Sequence, residues 1–406
     1  MFKHPSNVRI LKTILEGRHM KKSLLALAVL GAFAGAAQAQ TSSVTIYGII
    51  DTGVVYTSKA VNGTANGTGS KFGVNSAVIQ GSRIGFKGVE DLGGGLSAVF
   101  NLETGFKNDT GALDDSKTTN TLFRRKSVVG LAGGFGTVLL GRQTDFADSI
   151  SYLTSVADFG FMTGSVGHNL DRLEGTRSNN SVSYTTNNMG GFTGNLFYGF
   201  GEQAGRTSAG QAFGIGGKYD NGPLGLGINY FQSKQGATPA DTSLLIGTTN
   251  AGDVNNSGNS AAKVLNVAAS YQFGPARVYA NYNRVKQDLN TASPTALPSK
   301  TLGSANKADI YEVGTAYSLT PNLKLLGAVT HTRADFNSSS KGKLTQISLG
   351  TDYWLSKRTD LYAFLANIRA SDMANSGVYG DATGNAATGG ADASQTLVAV
   401  GVRHKF

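Results

Sequence analysis

The chain has 406 residues, of which 55 are glycine and 15% are charged, and its 36 Lys and Arg residues against 26 Asp and Glu residues give a net charge of +10. Glycine is about twice as frequent as in an average protein and charge is well below the usual ~25%, which disfavours a coiled coil or a long-helix protein. Because cysteine is absent, disulfide scaffolds, thiol catalysis and zinc sites with sulfur ligands are excluded. Lys and Arg form no long run, so nucleic-acid binding has little support.

The N-terminal segment predicts a secretory signal preceded by an upstream extension. From Met20 the chain has a Lys-Lys pair, an apolar run of about ten residues and the small-x-small sequence AQA. This run is too short for a transmembrane helix, which needs ~20 residues. We therefore interpret 1–19 as the product of a start codon assigned too early, 20–39 as a cleaved signal peptide and 40–406 as one mature domain.

After the signal, apolar and polar residues alternate with a period of two. In KVLNVAASYQF, which starts at Lys263, every second residue is apolar and faces one side, whereas Asn, Ala, Ser and Gln occupy the other. Such alternation indicates strands that lie between two different environments, and helical spacing is hard to find anywhere. Strands are predicted at sixteen places: 43–57, 76–89, 96–105, 123–131, 136–142, 178–186, 192–201, 211–219, 224–232, 263–273, 276–286, 307–318, 323–333, 343–355, 359–370 and 395–406.

The connections between these strands alternate in length. Seven are tight turns, such as EDLGGG at 90–95 and DNGP at 220–223, and eight are longer loops rich in Gly, Ser, Thr and Asn. Short turns at one end and long loops at the other are typical of a transmembrane antiparallel β-barrel. Ten residues at ~3.3 Å each with a ~45° tilt give ~23 Å, close to the ~25 Å apolar band of such barrels. Sixteen strands leave an aqueous channel inside.

The alternation also assigns the two faces of the wall. Polar residues are predicted to face the lumen: Asn101, Glu103, Ser181, Ser183, Thr185, Arg277, Asn281, Asn283, Gln346, Ser348 and Asp352. Aromatic residues near strand ends are predicted to form girdles at the membrane interfaces: Tyr230, Tyr271, Phe273, Tyr317, Tyr353, Trp354 and Phe406. The strand at 359–370 is apolar on both faces, for which a subunit contact is one explanation.

Five motifs resemble the general porins of the Gram-negative outer membrane, particularly their beta-proteobacterial branch. They are VTIYGIIDTG after the signal, SRIGFKGVEDLGGGL from Ser82, GLAGGFGTVLLGRQ from Gly130, VADFG in the third long loop, and VGVRHKF at the C-terminus. The resemblance implies a homotrimer of sixteen-stranded barrels with short periplasmic turns, long extracellular loops and a third loop, about 143–177, folded into the lumen. It implies passive diffusion of small hydrophilic solutes and ions, contact with outer-membrane lipid, and no cofactor or metal.

The resemblance also implies a constriction in which basic residues on the wall face acids on the third loop. The implied basic wall contains Arg83, Arg125 and Arg177. On the loop, Asp158 in VADFG occupies the acidic position of the family, and Asp145 and Asp148 are additional candidates. A surplus of basic groups over acids predicts a weak preference for anions.

Alternation supports part of this assignment independently. If Ile84 faces outward, Arg83 and Lys87 face the lumen, and Arg177 falls on the face of Ser181 and Ser183. Arg125 has basic neighbours on both sides, so its face stays open.

Two further positions follow from the resemblance. Ile49 stands where the family often has lysine, which weakens the basic wall at one point. The C-terminal Gly401, His404 and Phe406 resemble the signal that is read by the outer-membrane assembly machinery.

Other functions have less support in the sequence. Its mature histidines, His168, His331 and His404, form no H-E-x-x-H motif, and no G-x-S-x-G elbow occurs, so an enzyme is not predicted. A substrate-specific channel remains an alternative, although no spaced aromatic run is evident on an inward face. A barrel adhesin or receptor that uses the loops at 233–262 and 371–394 is the other alternative.

Overall fold

The computed structural model describes residues 43–61, 68–114, 121–154, 175, 177–234, 261–287, 305–337, 340–373, 375, 377 and 394–406. The expected upstream extension, the signal peptide and Asp158 lie outside these residues. The described strands are β1 (Ser43–Val61), β2 (Thr68–Ser76), β3 (Arg83–Gly93), β4 (Leu96–Gly105), β5 (Lys126–Gly133), β6 (Gly136–Thr144), β7 (Arg177–Thr185), β8 (Phe192–Gly199), β9 (Ala212–Asn221), β10 (Leu224–Lys234), β11 (Ala261–Phe273), β12 (Ala276–Gln287), β13 (Lys307–Thr320), β14 (Leu323–Asn337), β15 (Ser340–Trp354), β16 (Thr359–Ser371) and β17 (Ser394–Lys405). One helix, α1 (Ala147–Thr154), lies between β6 and β7.

The strands form one closed antiparallel barrel. From β3 to β17, each strand pairs with its neighbours along the chain, and β17 pairs with β1 in a register that sets Gly401 opposite Gly53. The first part of β1 pairs with β3 and its later part with β2. Because β2 and β3 together fill one position in the wall, the seventeen segments make a sixteen-stranded barrel. The predicted fold class is confirmed.

The second predicted strand is wrong in one respect, because segment 77–82 interrupts it. Instead of continuing along β1, this segment turns toward Asp51, whose carboxylate accepts backbone N–H bonds from Val78, Ile79 and Gln80 at 3.1, 3.2 and 2.8 Å. Val78 and Ile79 are fully buried. The buried Asp51 carboxylate thus accepts the hydrogen bonds of three consecutive amides that no longer bond a neighbouring strand.

Segment 77–82 also explains the strand that is apolar on both faces. On β16, Tyr362 and Ile368 are buried and belong to the same apolar cluster as Val78 and Ile79. On the opposite face of the strand, Leu361 is 43% exposed. The inner apolar face therefore packs within the same chain, and the outer one belongs to the apolar surface of the wall.

The outer and inner faces elsewhere follow the predicted alternation. On β15, Ile347 and Leu349 are about half exposed on the outside, whereas Gln346 and Ser348 are buried on the inside. Five of the predicted girdle residues are exposed near strand ends: Tyr271, Phe273, Tyr317, Tyr353 and Phe406.

Trp354 does not belong to the outer girdle. It lies opposite Asp360 on β16, and its ring centroid is 5.6 Å from the Arg403 guanidinium and 4.9 Å from the Lys405 amine. Asp360 and Arg403 are almost completely buried, so this part of the strand end faces the interior. The prediction for Trp354 fails because Tyr353 and Trp354 are adjacent and only one of two adjacent strand residues can face outward.

A buried ionic cluster holds the seam where the barrel closes. Arg403 on β17 donates from Nε to Asp360 at 3.0 Å and lies 3.6 Å from a carboxylate oxygen of Asp352. It also donates to the side-chain oxygen of Gln80 at 3.2 Å. The Tyr362 hydroxyl donates to Asp51 at 2.8 Å. These contacts connect β1, β15, β16, β17 and segment 77–82.

Among the described residues, no helix is long and apolar enough to span a membrane.

Replacing Arg403 with Met should strongly destabilise the barrel. Asp352 and Asp360 would stay buried without their cation, and breaking a buried ion pair costs about 3–5 kcal/mol. We expect a lower temperature for the conversion of the folded into the unfolded band in unheated gel electrophoresis. The triple variant R403M/D352N/D360N should recover much of this loss, because it also removes the two carboxylate charges next to Arg403.

Arg358, an exposed turn residue, provides the matched control. Arg358→Met removes the same charge but leaves no buried carboxylate without its cation. A conversion temperature that R403M leaves unchanged, or that R358M lowers as much, would contradict a stabilising role of the cluster.

Candidate functional site

The helix α1 lies against the inner wall of the barrel. Phe146 and Ile150 form a buried cluster with Ala268 of β11. A Cβ built on Gly227 would come within 2.8 Å of Ile150, and one on Gly225 within 3.0 Å of Leu153. The glycines of β10 therefore leave the space that the helix occupies.

Both ends of α1 are fixed to this wall. Asp145 is buried, and its carboxylate accepts from the Ala147 N–H at 2.7 Å and from the Asn229 side chain of β10 at 3.4 Å. At the other end, the Arg277 guanidinium of β12 donates to the Leu153 carbonyl at 2.5 Å. Asp145, an expected acid of the constriction, thus lies at the N-terminus of the helix, where it accepts a hydrogen bond from one N-terminal amide.

Asp148, in the first turn of α1, is set among cations. Desolvation inside the barrel raises the pKa of the Asp148 carboxyl above its usual range. Four positive charges act in the opposite direction and lower it, in decreasing order: Arg177, Arg125, Lys126 and Arg83. The structure therefore brings the three predicted wall arginines and one of the predicted loop acids together.

The basic wall is organised around Glu103 of β4. Arg125 donates from Nε to Glu103 at 2.6 Å, and the Tyr47 hydroxyl donates to the other carboxylate oxygen at 2.9 Å. Gly85, two residues beyond Arg83 on β3, lies opposite Glu103, so the alternation sets Arg83 on the same inner face. This settles the face of Arg125, because it bonds a lumen-facing carboxylate.

The sequence identifies Glu103 as an inward polar residue but not as a partner in the constriction. Glu103 could have been found by pairing the two neighbouring predicted strands. Arg83 on β3 lies opposite Gly105 on β4, and Glu103 is two residues before Gly105, on the same face as Arg83. Lys87, also expected in the basic wall, is exposed further down β3, with its amine 5.5 Å from the centroid of the Tyr47 ring.

The alternation argument for Arg177 is wrong, although its charge acts on Asp148. On β6 and β7 the register pairs Gly141 with Ser181 but Gln143 with Ser178, and Asn180 has a φ of 49° in the left-handed region. This bulge inserts one residue, so Ser178, fully buried, shares the inner face of Ser181. A bulge of this kind has no signature in hydrophobic alternation.

The C-terminal residues lie at the closing seam. Phe406 exchanges backbone hydrogen bonds with Gly48 at 3.1 Å in both directions, and a Cβ on Gly48 would come within 2.3 Å of its ring. His404 lies 2.9 Å from the Thr359 hydroxyl through Nδ1. Gly401 is equally restricted, because a Cβ there would come within 2.2 Å of the Tyr362 hydroxyl.

The wall arginines Arg83 and Arg125 and the Asp148 carboxylate of α1 create an electric field across the lumen. Such a field attracts small ions and polar solutes and orders water that an apolar molecule would have to displace. Within the described part of the chain, no three His, Asp or Glu side chains are grouped to hold a metal ion.

Comparison with known proteins gives consistent matches. The family model of Gram-negative porins matches residues 26–373. Outer membrane porin protein 32 of Delftia acidovorans is 35% identical over 405 residues, which cover 95% of this chain and 100% of that protein. An outer membrane porin of Bordetella pertussis is 32% identical over 422 residues with the same coverage, 95% and 100%. The anion-selective porin from Comamonas acidovorans superposes with a TM-score of 0.65 and 30% identity over 90% of this chain and 100% of that structure.

Truncation of the apolar face of α1 should release the helix from the wall. Ile150→Ala removes buried contacts that contribute about 2–5 kcal/mol, and an isolated helix of eight residues is not stable in water. Because the chain has no cysteine, a single thiol introduced by Ser149→Cys reports on the helix. We expect I150A to increase its reaction rate with a water-soluble methanethiosulfonate severalfold.

Val267→Ala is the matched control, since it truncates an apolar side chain on the outer face of β11. An unchanged rate in I150A, or an equal increase in V267A, would argue against anchoring by this face.

Proposed function

The chain belongs to the Gram-negative porin family, and we propose that the charged constriction around Asp148 controls what passes through it. The protein is a diffusion channel of the Gram-negative outer membrane for small hydrophilic solutes and ions. Members of the family are channels, and we infer that this chain has no catalytic activity. The observation that carries the proposal is the charged group beside α1, in which Arg125 pairs with Glu103 at 2.6 Å and the charges of Arg83, Arg125 and Arg177 act on Asp148.

The sign of the field favours anions. Glu103 is already paired with Arg125 at 2.6 Å, so its charge is largely compensated. Arg83, Arg177 and Lys126 then outnumber the two described loop acids, Asp148 and Asp145. A related porin, 30% identical, is described as anion-selective. Asp158 of the third loop, which lies outside the described residues, is proposed as a further acid that keeps this preference weak.

Discrimination against apolar solutes follows from the same charges. A polar solute can replace the hydrogen bonds of the water that it displaces, whereas a lipid-like molecule leaves charged groups without partners. An unpartnered charged group in a narrow passage is costly because the surroundings cannot solvate it. The constriction thus filters by polarity as well as by charge.

The sequence motifs and the exposed outer wall also support a proposal about export and assembly. We infer that 20–39 is removed on export, that Gly401, His404 and Phe406 are read by the assembly machinery, and that three copies assemble in the membrane. Phe406 is 37% exposed, which is compatible with recognition. Phe72 and Val74, at 75% and 59% exposed on the outer wall, require lipid or another copy of the chain as cover.

Removing charges from the constriction should change ion preference in opposite directions. We expect Arg83→Gln and Arg177→Gln to reduce the permeability of chloride relative to potassium, and Asp148→Asn to increase it. Each charge should change the ratio roughly two- to tenfold in dilute salt, and less in concentrated salt, because a unit charge several ångströms away acts through partly screened water. The measurement is the reversal potential of single channels in a planar bilayer under a salt gradient.

Lys357, an exposed residue of a short turn, is the control, since Lys357→Gln removes one positive charge at the end of the barrel. Clear cation selectivity of the wild-type channel would overturn the anion preference. Equal effects of K357Q and R83Q would show that only the net charge of the molecule matters.

Acidification should strengthen the preference for anions. Since the pKa of Asp148 is raised, this carboxyl takes up its proton, and loses its negative charge, at a higher pH than an ordinary aspartate. We expect the chloride-to-potassium ratio of the wild type to rise on acidification. D148N should have the higher ratio already at neutral pH and lack this early rise.

Glu103→Gln separates the two carboxylates, because it leaves Asp148 in place. If D148N retained the full pH dependence and E103Q abolished it, the titrating group would be Glu103 and not Asp148.

A further inference from the structure

Two tyrosine rings lie in the charged part of the lumen, one on the wall and one on α1. The wall ring belongs to Tyr47 of β1, whose hydroxyl lies 2.9 Å from both the Asn101 amide oxygen and a Glu103 carboxylate oxygen. The ring lies against Gly85 of β3, because a Cβ built there would come within 2.4 Å of it. Glycine thus makes room for the ring, and two polar partners fix its orientation.

Basic side chains lie on both sides of the Tyr47 ring along β3. Arg83, Gly85 and Lys87 share the inner face of this strand, since side chains alternate between its two faces. The Lys87 amine is 5.5 Å from the centroid of the Tyr47 ring. Arg83 is two residues from Gly85 in the other direction, ~7 Å along the strand. The wall therefore presents a cation, an aromatic ring and a second cation in a row.

Arg83 is the cation of this row that suits a carboxylate best. Glu103 forms its salt bridge with Arg125, at 2.6 Å, and none of the acids in the described part of the chain forms an ion pair with Arg83. A guanidinium donates two parallel hydrogen bonds to a carboxylate, whereas the ammonium of Lys87 acts as a point charge. Arg83 can therefore hold an anion beside the wall ring.

The second ring, Tyr152, lies on the side of α1 that faces the passage. Ile150 and Leu153 pack against the glycines of β10, and with about 3.6 residues per turn Asp148 and Tyr152 project from the opposite side of the helix. Tyr152 is 51% exposed. Its ring is therefore accessible to a solute in the lumen.

Electrostatic interactions show which part of the wall Tyr152 approaches. Desolvation and the charge of Asp148 raise the pKa of the Tyr152 hydroxyl, whereas the charges of Arg83 and Arg125 lower it. The ring therefore lies within the field of both wall arginines. A solute held by Arg83 passes close to an aromatic surface on either side.

We propose that this part of the constriction binds carboxylates that are attached to an aromatic ring, a substrate class that rests on the proposed function of the channel. The carboxylate pairs with the guanidinium of Arg83. The attached ring stacks on Tyr152, and Tyr47 provides a second aromatic contact. Such contacts between rings add to the attraction that comes from burying apolar area.

Other solutes match only one of the two surfaces. A small aliphatic carboxylate pairs with the cation but gains nothing from the rings. An uncharged apolar molecule contacts the rings but leaves the charged groups without the water that it displaces. An aromatic carboxylate satisfies both, and the face of its ring is also attracted to nearby cations.

The test measures how benzoate, cyclohexanecarboxylate and acetate reduce the chloride current of single channels in a planar bilayer at neutral pH, where all three are ionised. We expect benzoate to halve the current at a concentration roughly tenfold lower than acetate, because stacking on two rings adds to the ion pair. Cyclohexanecarboxylate should need a concentration severalfold higher than benzoate, since it has an apolar ring without a planar π-system.

Variants of Tyr152 assign the effect to its ring. Tyr152→Leu should raise the half-blocking concentration of benzoate roughly fivefold and leave that of acetate unchanged, because it removes one aromatic contact and no charge. Tyr152→Phe keeps the ring and should be blocked like the wild type. Tyr271→Leu is the matched control, since it removes a partly exposed tyrosine ring from the outer face of β11, and it should also be blocked like the wild type.

Three outcomes would overturn the proposal. The first is equal block of the wild type by benzoate and cyclohexanecarboxylate, which would indicate apolar contact without stacking. The second is an unchanged benzoate block in Y152L. The third is an equal loss of block in Y271L, which would indicate an effect outside the lumen.

Arg83→Gln separates a failure of this site from a failure of the proposed function. It should weaken the block by benzoate and acetate alike and also reduce the preference of the channel for chloride. If that preference does not change in R83Q, the proposed role of the constriction is wrong. If it falls while Y152L keeps the full benzoate block, the aromatic site alone is rejected.

Discussion

The structure depends on closure of the sheet, because a strand edge in hydrocarbon would leave backbone amides and carbonyls without partners. The last strand must therefore bond the first along its length, and β17 does so with β1 from Leu397 to Lys405. Gly53 and Gly401 face each other at this seam, where a Cβ on either would collide with backbone or with Tyr362. Closure thus requires small residues where the wall is covered from within.

The seam also explains the buried charges. Segment 77–82 leaves the ladder, and Asp51 supplies the acceptors that its amides lack. That carboxylate, with Asp352 and Asp360, creates a concentration of negative charge that Arg403 compensates. A buried charge of either sign is tolerated only with such partners. The interruption of one strand and the ionic cluster are therefore two parts of one arrangement.

Hydrophobic alternation predicted every strand of the barrel wall except the second as one continuous element, and it predicted the short turns and the inner face of Arg83 and Lys87. It failed where distant residues determine local geometry. The residues around Val78 do not indicate that their amides bond the distant carboxylate of Asp51. The bulge at Asn180 depends on the pairing of β6 with β7. The helix α1 was missed because eight residues give little periodicity, although Phe146, Ile150 and Leu153 follow helical spacing.

The same residue type has opposite consequences on the two faces of this wall. An arginine that faces the lumen at mid-height, such as Arg83, meets water and mobile ions, and its unbalanced charge is available to passing solutes. An arginine that faces outward is tolerated only above the apolar band, where Arg284 and Arg333 lie and where the cost of a charge falls toward zero. Parity and height along the strand together therefore decide what each cation does. Neither quantity can be read from composition, and for this reason the net charge of the chain says little about the preference of its channel.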